Sequence, residues 1–201
     1  VRTLYLASAS PRRVELLKGA GLSPRVLPAR VPESRRRGEG PAAMVLRLAR
    51  AKAGEVAGRL EARGAREGLV LAADTTVALG TRVLEKPRDA AHARAMLRSL
   101  SGRSHTVHTG VCVIALGARA REAAAFVEST KVFFRVLGPA EISAYVAGGE
   151  PLDKAGAYGI QGAAGAFVRR IEGDYCTVVG LPLARVVETL QSLSKGLSQP
   201  L

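Results

Sequence analysis

The sequence predicts an α/β fold, a mixed twisted sheet flanked by helices, and three observations carry that expectation. Short apolar runs alternate along the chain with stretches whose apolar residues recur at helical spacing. The unbroken run Leu69-Val70-Leu71-Ala72-Ala73 has the character of a central strand buried on both faces. Two long strand-like runs, 105–116 and 124–137, joined by the polar stretch Gly117-Ala118-Arg119-Ala120-Arg121, predict an antiparallel pair in the same sheet. No repeat and no low-complexity linker divides the 201 residues, so one domain over 1–201 is expected, with the tail 196–201 disordered.

In chain order, Leu4-Tyr5-Leu6-Ala7 reads as a short buried strand and Ser8-Ala9-Ser10-Pro11 as the entry to a helix carrying Val14, Leu16, Leu17 and Ala20. Ser10 suits the N-cap, Pro11 the first helical position, and Gly21 the left-handed residue past the end. Residues 24–40, rich in Pro, Arg and Gly, read as a loop in which Arg35-Arg36-Arg37 is solvated. A second helix, roughly 42–63, sets Val45, Leu48, Ala49, Ala53, Val56 and Leu60 on one face, and Lys52 falls on the same stripe. The Leu69–Ala73 strand is expected to stop at Asp74-Thr75-Thr76. A short strand to Leu79, a Gly80-Thr81 turn and Val83-Leu84 then suggest a hairpin. Asp89–Leu100 predicts a helix between Pro87 and Gly102. After the two long strands come a helix at 139–147, a glycine-rich loop at 148–165, a strand at 167–171 and a last helix at about 183–193.

Composition narrows the function classes. No segment reaches the roughly eighteen consecutive apolar residues of a membrane-spanning helix, and the apolar opening is too short for a signal peptide. The two cysteines, Cys112 and Cys176, lie far apart. A cytoplasmic protein without a membrane partner is therefore expected. The net charge of +13 draws polyanions, which admits nucleic acid or a small phosphorylated substrate, and it also serves simply as a solubilising surface. Basic residues are spread along the whole chain, tryptophan is absent and aromatics are 4%, so platforms for base stacking are scarce and nucleic acid is the disfavoured partner.

Several residues are candidates for chemistry. Arg12 and Arg13 fall in the first turn of the first helix, where the backbone already presents partial positive charge. That placement is unfavourable unless an anion docks there, in which case free backbone N–H groups, the Ser8 and Ser10 hydroxyls and both guanidinium groups converge on phosphate. Otherwise the two arginines are solvated at a small cost. Asp74, directly after five apolar residues, sits where ligands bind in open α/β sheets; it could ligate Mg²⁺, act as a general base, or simply cap a turn. Lys52 on its apolar stripe either snorkels or serves the site, and Lys86, extended before Pro87, can reach a phosphate or be an ordinary surface lysine. Glu33 and Asp153 are loop carboxylates able to complete an oxygen-ligand metal site.

Other machinery is excluded. No G-x-x-x-x-G-K-[ST] or G-x-S-x-G occurs, and the glycines of 159–165 lack the strand-then-helix setting of a dinucleotide fold. His105 and His108, three apart on a strand, point to opposite faces; His92 belongs to a helix surface. Cys112 reads as core filler.

Taken together, Ser8-Ala9-Ser10-Pro11-Arg12-Arg13, Glu33, Arg50-Ala51-Lys52-Ala53, Ala73-Asp74-Thr75, Lys86-Pro87 and Leu100-Ser101-Gly102 resemble the Maf family of nucleoside triphosphate pyrophosphatases. Thr109-Gly110-Val111, the run from Glu150 to Gly162 and Val179-Gly180-Leu181-Pro182-Leu183 look like the same family in the same order. The resemblance implies house-cleaning hydrolysis of dTTP and UTP to monophosphate and pyrophosphate, a divalent cation (Mg²⁺ or Mn²⁺), a homodimer, and a fold similar to the inosine triphosphate pyrophosphatases. It implies Asp74 as proton acceptor, Arg13, Lys52 and Lys86 on the triphosphate, and Glu33 with Asp153 and Asp74 placing the metal. Arg12, Thr75 and Gln161 fall where the family separates its substrates, and they match the dTTP- and UTP-preferring branch rather than the 7-methyl-GTP branch. Gln161 offers both a donor and an acceptor, the equipment for reading a uracil or thymine edge. Pro32-Glu33 departs from the two adjacent acidic residues usual in the family. Hydrolysis of 7-methyl-GTP or a modified nucleotide, or a nucleic-acid-binding role in cell division, are the competing expectations.

Overall fold

In the computed structural model, which describes residues 2–195, strand β1 (Leu4–Leu6) runs parallel to both β2 (Arg25–Val26) and β3 (Gly68–Leu79). Tyr5 lies opposite Arg25 on one side and Val70 on the other. The remaining strands are β4 (Arg82–Leu84), β5 (Ser104–Leu116), β6 (Arg121–Phe134) and β7 (Val168–Glu172). The hydrogen-bonded order is β2-β1-β3-β5-β6-β7, with β4 antiparallel on β3, giving a seven-stranded mixed sheet. Helices α1 (Pro11–Gly19), α2 (Pro41–Ala62), α3 (Ala90–Leu100), α4 (Pro139–Ala147), α5 (Tyr175–Val179) and α6 (Leu183–Lys195) flank it, so the chain is α/β as expected. The chain divides into two compact units. The first comprises Val1–Asp74, Thr109–Val127 and Gly180–Leu201, and the second Thr75–His108 and Glu128–Val179. The expectation for the tail 196–201 lies outside the described residues.

In the first unit, the face of α2 read from the sequence is the buried one: Val45, Leu48, Ala49, Ala53 and Val56 are all inaccessible or nearly so. Part of that stripe packs with Ala7, Val70, Ala72 and Cys112. Gly110 of β5 marks the closest approach of helix and strand, because a Cβ there would lie 2.5 Å from the backbone carbonyl of Val45. Only glycine admits that contact, and it sets how near the sheet α2 can sit. A second cluster, built from Leu6, Leu17, Leu71, Val111, Val113, Leu181 and Val186, joins α1 and α6 to the strands.

In the second unit, α3 starts where the sequence places it: the Asp89 carboxylate accepts the His92 N–H at 2.7 Å and caps the helix. Its apolar face, Ala93, Met96, Leu97 and Leu100, packs with Val107, Val132, Ile142 and Phe167. His105 is buried in that cluster. Its Nε2 pairs with the Tyr158 hydroxyl at 2.8 Å, its ring stands edge-on to Phe134 at 4.9 Å, and its Nδ1 has no hydrogen-bond partner. His108 instead pairs with Ser129 at 2.7 Å.

Four expectations change. First, β3 does not stop at Asp74. The ladder runs on through the β-branched Thr75, Thr76 and Val77 to the Gly80-Thr81 hairpin, where Gly80 has φ 61°. Second, the 24–40 loop contains the two-residue strand β2, since Leu27 N–H donates to Leu6 at 2.9 Å and holds the segment along β1. Third, Ser10 occupies the N-cap position without a side-chain bond to the helix; its N–H donates to Ser8 Oγ at 3.2 Å. Fourth, the 148–165 loop winds into short 3₁₀ turns at Glu150–Asp153, Ala155–Ala157 and Ala163–Phe167. The sequence reading also missed the one-turn helix α5. The two long strands pair as expected, and the side-chain contacts Cys112–Glu122 and His108–Ser129 run in opposite chain directions along them.

Burial pushes the His105 imidazole down to about 4, from an ordinary value of 6.5. The unfolded chain therefore takes up this proton first. The stability that neutral His105 contributes is complete above about pH 6.5 and falls toward pH 4, by roughly 3 kcal/mol at the limit. Urea unfolding at pH 7 and pH 4.5 should show that loss in the wild type and a smaller one in His105→Phe. Equal losses would assign the acid sensitivity elsewhere.

Candidate active site

The sequence-predicted residues fall in both units, and the first gathers Ser8, Arg13, Glu33, Lys52 and Asp74 into linked pairs. Ser8 follows β1, whose pairing with β3 is extended by the Ala7 N–H to Leu71 C=O bond at 2.8 Å. That places the start of α1 beside the strand that carries Asp74. Lys52 is not snorkelling: it is 8% exposed, and its Nζ donates to Asp74 Oδ1 at 2.7 Å and lies 2.6 Å from Glu33 Oε1. Asp74 is buried to the same degree. A carboxylate so placed in mid-strand is tolerable because a cation meets it, and that explains why the ladder can run through it.

Arg13 is buried in the first turn of α1. Its Nε donates to the Gly180 carbonyl at 2.8 Å and its Nη1 to Ser8 Oγ at 3.0 Å. Burial lowers its pKa, against the opposing pull of the Asp74 and Glu33 carboxylates. Arg12 and Ser10 are half-buried beside it. A buried guanidinium at a helix N-terminus, with Ser8 attached, is suited to an oxyanion.

The Glu33 and Asp74 carboxylates both meet the Lys52 ammonium, at 2.6 and 2.7 Å. Carboxylate oxygens are hard donors of the kind Mg²⁺ or Mn²⁺ takes, one or two at a time, together with substrate phosphates. Among the described residues no group of three or more His, Cys, Asp or Glu side chains forms a ready-made cage.

The second unit holds Thr75, Lys86, Asp153 and Gln161. Lys86 and Gln161 are exposed, and Thr75 is half-buried. The Gly156 N–H donates to Glu85 C=O at 3.2 Å, tying the Lys86 loop to the turns that follow Asp153. Asp153 pairs with Lys154 at 2.6 Å, and Lys154 also donates to the Glu150 carbonyl at 2.7 Å. The Glu150 carboxylate accepts from Tyr145 Oη at 3.0 Å and from Ala163 N–H at 3.1 Å. A Cβ on Gly162 would overlap that carboxylate, and one on Gly159 would meet the Lys154 side chain at 2.7 Å. The sequence reading gave Glu150 no role and passed over Tyr145; the glycines at 159 and 162 were the available signal. Cys112 is core filler as expected, its thiol pushed up to about 12 by burial and then by Glu122.

A family model described as Maf-like protein matches residues 3–193. A dTTP/UTP pyrophosphatase of Anaeromyxobacter sp. is 56% identical over 94% of this chain and 88% of its own length. One of Pelotomaculum thermopropionicum is 49% identical over 95% and 96%. A solved nucleoside-triphosphatase / dITP/XTP pyrophosphatase of Mycobacterium abscessus is 15% identical, covering 66% of this chain and 74% of that one, with a TM-score of 0.38.

Removing Lys52 leaves the Asp74 carboxylate buried without its cation. Lys52→Met should cost about 3 kcal/mol, and adding Asp74→Asn should recover part of it. Urea midpoints of the two variants decide; no recovery in the double variant would mean that the loss comes from packing.

Proposed function

The chain belongs to the Maf-like family, and from that premise we propose that it is a nucleoside triphosphate pyrophosphatase acting on dTTP and UTP. The observation that carries the reading is the buried Lys52–Asp74 pair with Glu33 on the same ammonium, in the unit that also holds Arg13 and Ser8 at the start of α1. The dTTP/UTP activity for which the relatives are named supports the substrate.

Water attacks the α-phosphorus, a new P–O bond forms, the bond between the α-phosphorus and the bridging oxygen breaks, and pyrophosphate leaves. Asp74 takes the water's proton. Lys52 engages Oδ1 and aims the carboxylate, so Oδ2 is the accepting oxygen. Arg13, fixed by Ser8 and Gly180, holds phosphate oxygens with the α1 N-terminus, and Arg12 and Ser10 extend that cradle. Lys86 is assigned to the departing pyrophosphate, and Thr75 and Gln161 to selection of the pyrimidine. Glu33 and Asp74 would hold Mg²⁺ or Mn²⁺, which would neutralise phosphate charge when bound, and the resemblance alone assigns Asp153 to the same role.

The reading includes one functional domain, supported by a family match that runs through segments of both units, and a homodimer, implied by the resemblance and testable by sedimentation. It also places the protein in the cytoplasm. The resemblance carries that assignment; among the described residues no helix is long and apolar enough to cross a membrane.

Pyrophosphate release from dTTP, UTP, CTP, GTP and 7-methyl-GTP, with Mg²⁺ or Mn²⁺ and a chelator blank, should show cation-dependent turnover favouring dTTP and UTP. Asp74→Asn should lower the rate at least about a hundredfold. Turnover favouring 7-methyl-GTP would keep the chemistry and discard the pyrimidine assignment, and no turnover would end the enzyme reading. Gln161→Ala should lose the preference for UTP over 7-methyl-GTP, measured as a ratio of kcat/KM; an unchanged ratio removes Gln161 from base selection.

A further inference from the structure

We propose that Glu39 and Arg47 form a clasp that positions Glu33, so that Arg47 sets the strength of cation binding through the loop that carries this carboxylate. The proposal rests on the pyrophosphatase reading and assigns a role to the arginine-rich loop that the function leaves unused.

The clasp is dense. Arg47 of α2 engages the Glu39 carboxylate through both oxygens, Nε to Oε1 at 2.6 Å and Nη2 to Oε2 at 2.7 Å. The Arg36 N–H adds a donor to Oε2 at 3.1 Å. Arg47 Nη2 also donates to the Ser34 carbonyl at 3.0 Å, and the Arg35 guanidinium grips the Glu39 carbonyl at 3.0 and 2.9 Å. Gly38, at φ 76°, lets the chain turn back so that the Glu39 N–H reaches Arg36 C=O at 3.2 Å. One helical residue thus holds both ends of segment 34–39. The paired side chains are only 21% and 11% exposed, and the two-pronged geometry fixes direction as well as distance. The bond to Arg47 draws the Glu39 carboxyl down to about 2, so the clasp stays ionised from mildly acidic pH upward.

Glu33 immediately precedes this segment, and its carboxylate meets Lys52 on the same helix as Arg47. The Glu33 side chain is 57% exposed and none of residues 31–40 is buried, so the core does not order this loop. An ion pair with one partner in solvent leaves a flexible side chain much of its freedom. The Arg47 clasp, bonded to the carbonyl of the next residue, holds the backbone beside Glu33 in place while Lys52 pairs with its carboxylate. Groups one step removed from a cation's ligands commonly change its affinity by about 10- to 100-fold.

The test titrates Mn²⁺ alone into nucleotide-free full-length protein by calorimetry, with hydrogen exchange of residues 33–39 alongside. Arg47→Ala and Glu33→Ala should each weaken Mn²⁺ binding about tenfold or more, and the double variant should be no weaker than Glu33→Ala. Arg47→Ala should speed exchange in segment 34–39, leave the nucleotide KM at saturating Mn²⁺ within about twofold, and regain part of its Mn²⁺ affinity when reversed as Glu39→Arg/Arg47→Glu. Additive losses in the double variant, or wild-type Mn²⁺ affinity and exchange in Arg47→Ala, would overturn the clasp and leave the pyrophosphatase reading standing. A wild type inert toward Mn²⁺ and toward every nucleotide would remove both.

Discussion

A buried ammonium shared by two carboxylates is the constraint around which the first unit is organised. Lys52 can sit on the apolar stripe of α2 only because Asp74 and Glu33 offset the cost of taking its charge out of water, and Asp74 can occupy mid-strand β3 only because Lys52 meets it. The pairing demands that helix and sheet be close. Ala49 and Ala53 flank the lysine with small side chains, and the bare Gly110 admits the α2 backbone at Val45. Packing and charge are therefore one problem here: a bulkier residue under α2 would lift the ammonium away from its carboxylate.

Much of the fold was legible because its signals are local. The α2 stripe, the Asp89 cap, the Gly80-Thr81 hairpin and the run 139–147 each follow from spacing and turn chemistry within a few residues. The misreadings came where long-range pairing overrides local character. Asp74 reads as a strand end to anyone who cannot see Lys52, twenty-two positions earlier, waiting to neutralise it. Arg25-Val26 becomes a strand only through the hydrogen bonds that β1 offers, and the glycine-rich stretch winds into 3₁₀ turns around a carboxylate, Glu150, whose partners lie on both sides of it in sequence.

The site divides in the same way. The sequence pointed to Arg13, Lys52 and Asp74 because each violates a local preference: charge of the wrong sign at a helix start, charge on an apolar stripe, charge after an apolar run. The residues that hold them were not legible. Glu39 and Arg47 look like ordinary surface charges, and only the folded chain shows that one side chain of α2 closes the loop bearing Glu33. Tyr145 likewise carries no signal in the sequence, and only the fold sets its hydroxyl on Glu150.

The chemistry of the two thiols has a practical side. Cys112 is inaccessible, and with its thiol pushed up to about 12 it holds only about one part in ten thousand as thiolate at pH 8. Cys176, in α5, is partly open to solvent. A thiol reagent can therefore reach Cys176 while Cys112 stays closed to it, without mutagenesis. The native chain comes with a single addressable attachment point for a spin label or fluorophore, located in the second unit, while the Lys52–Asp74 pair in the first stays untouched.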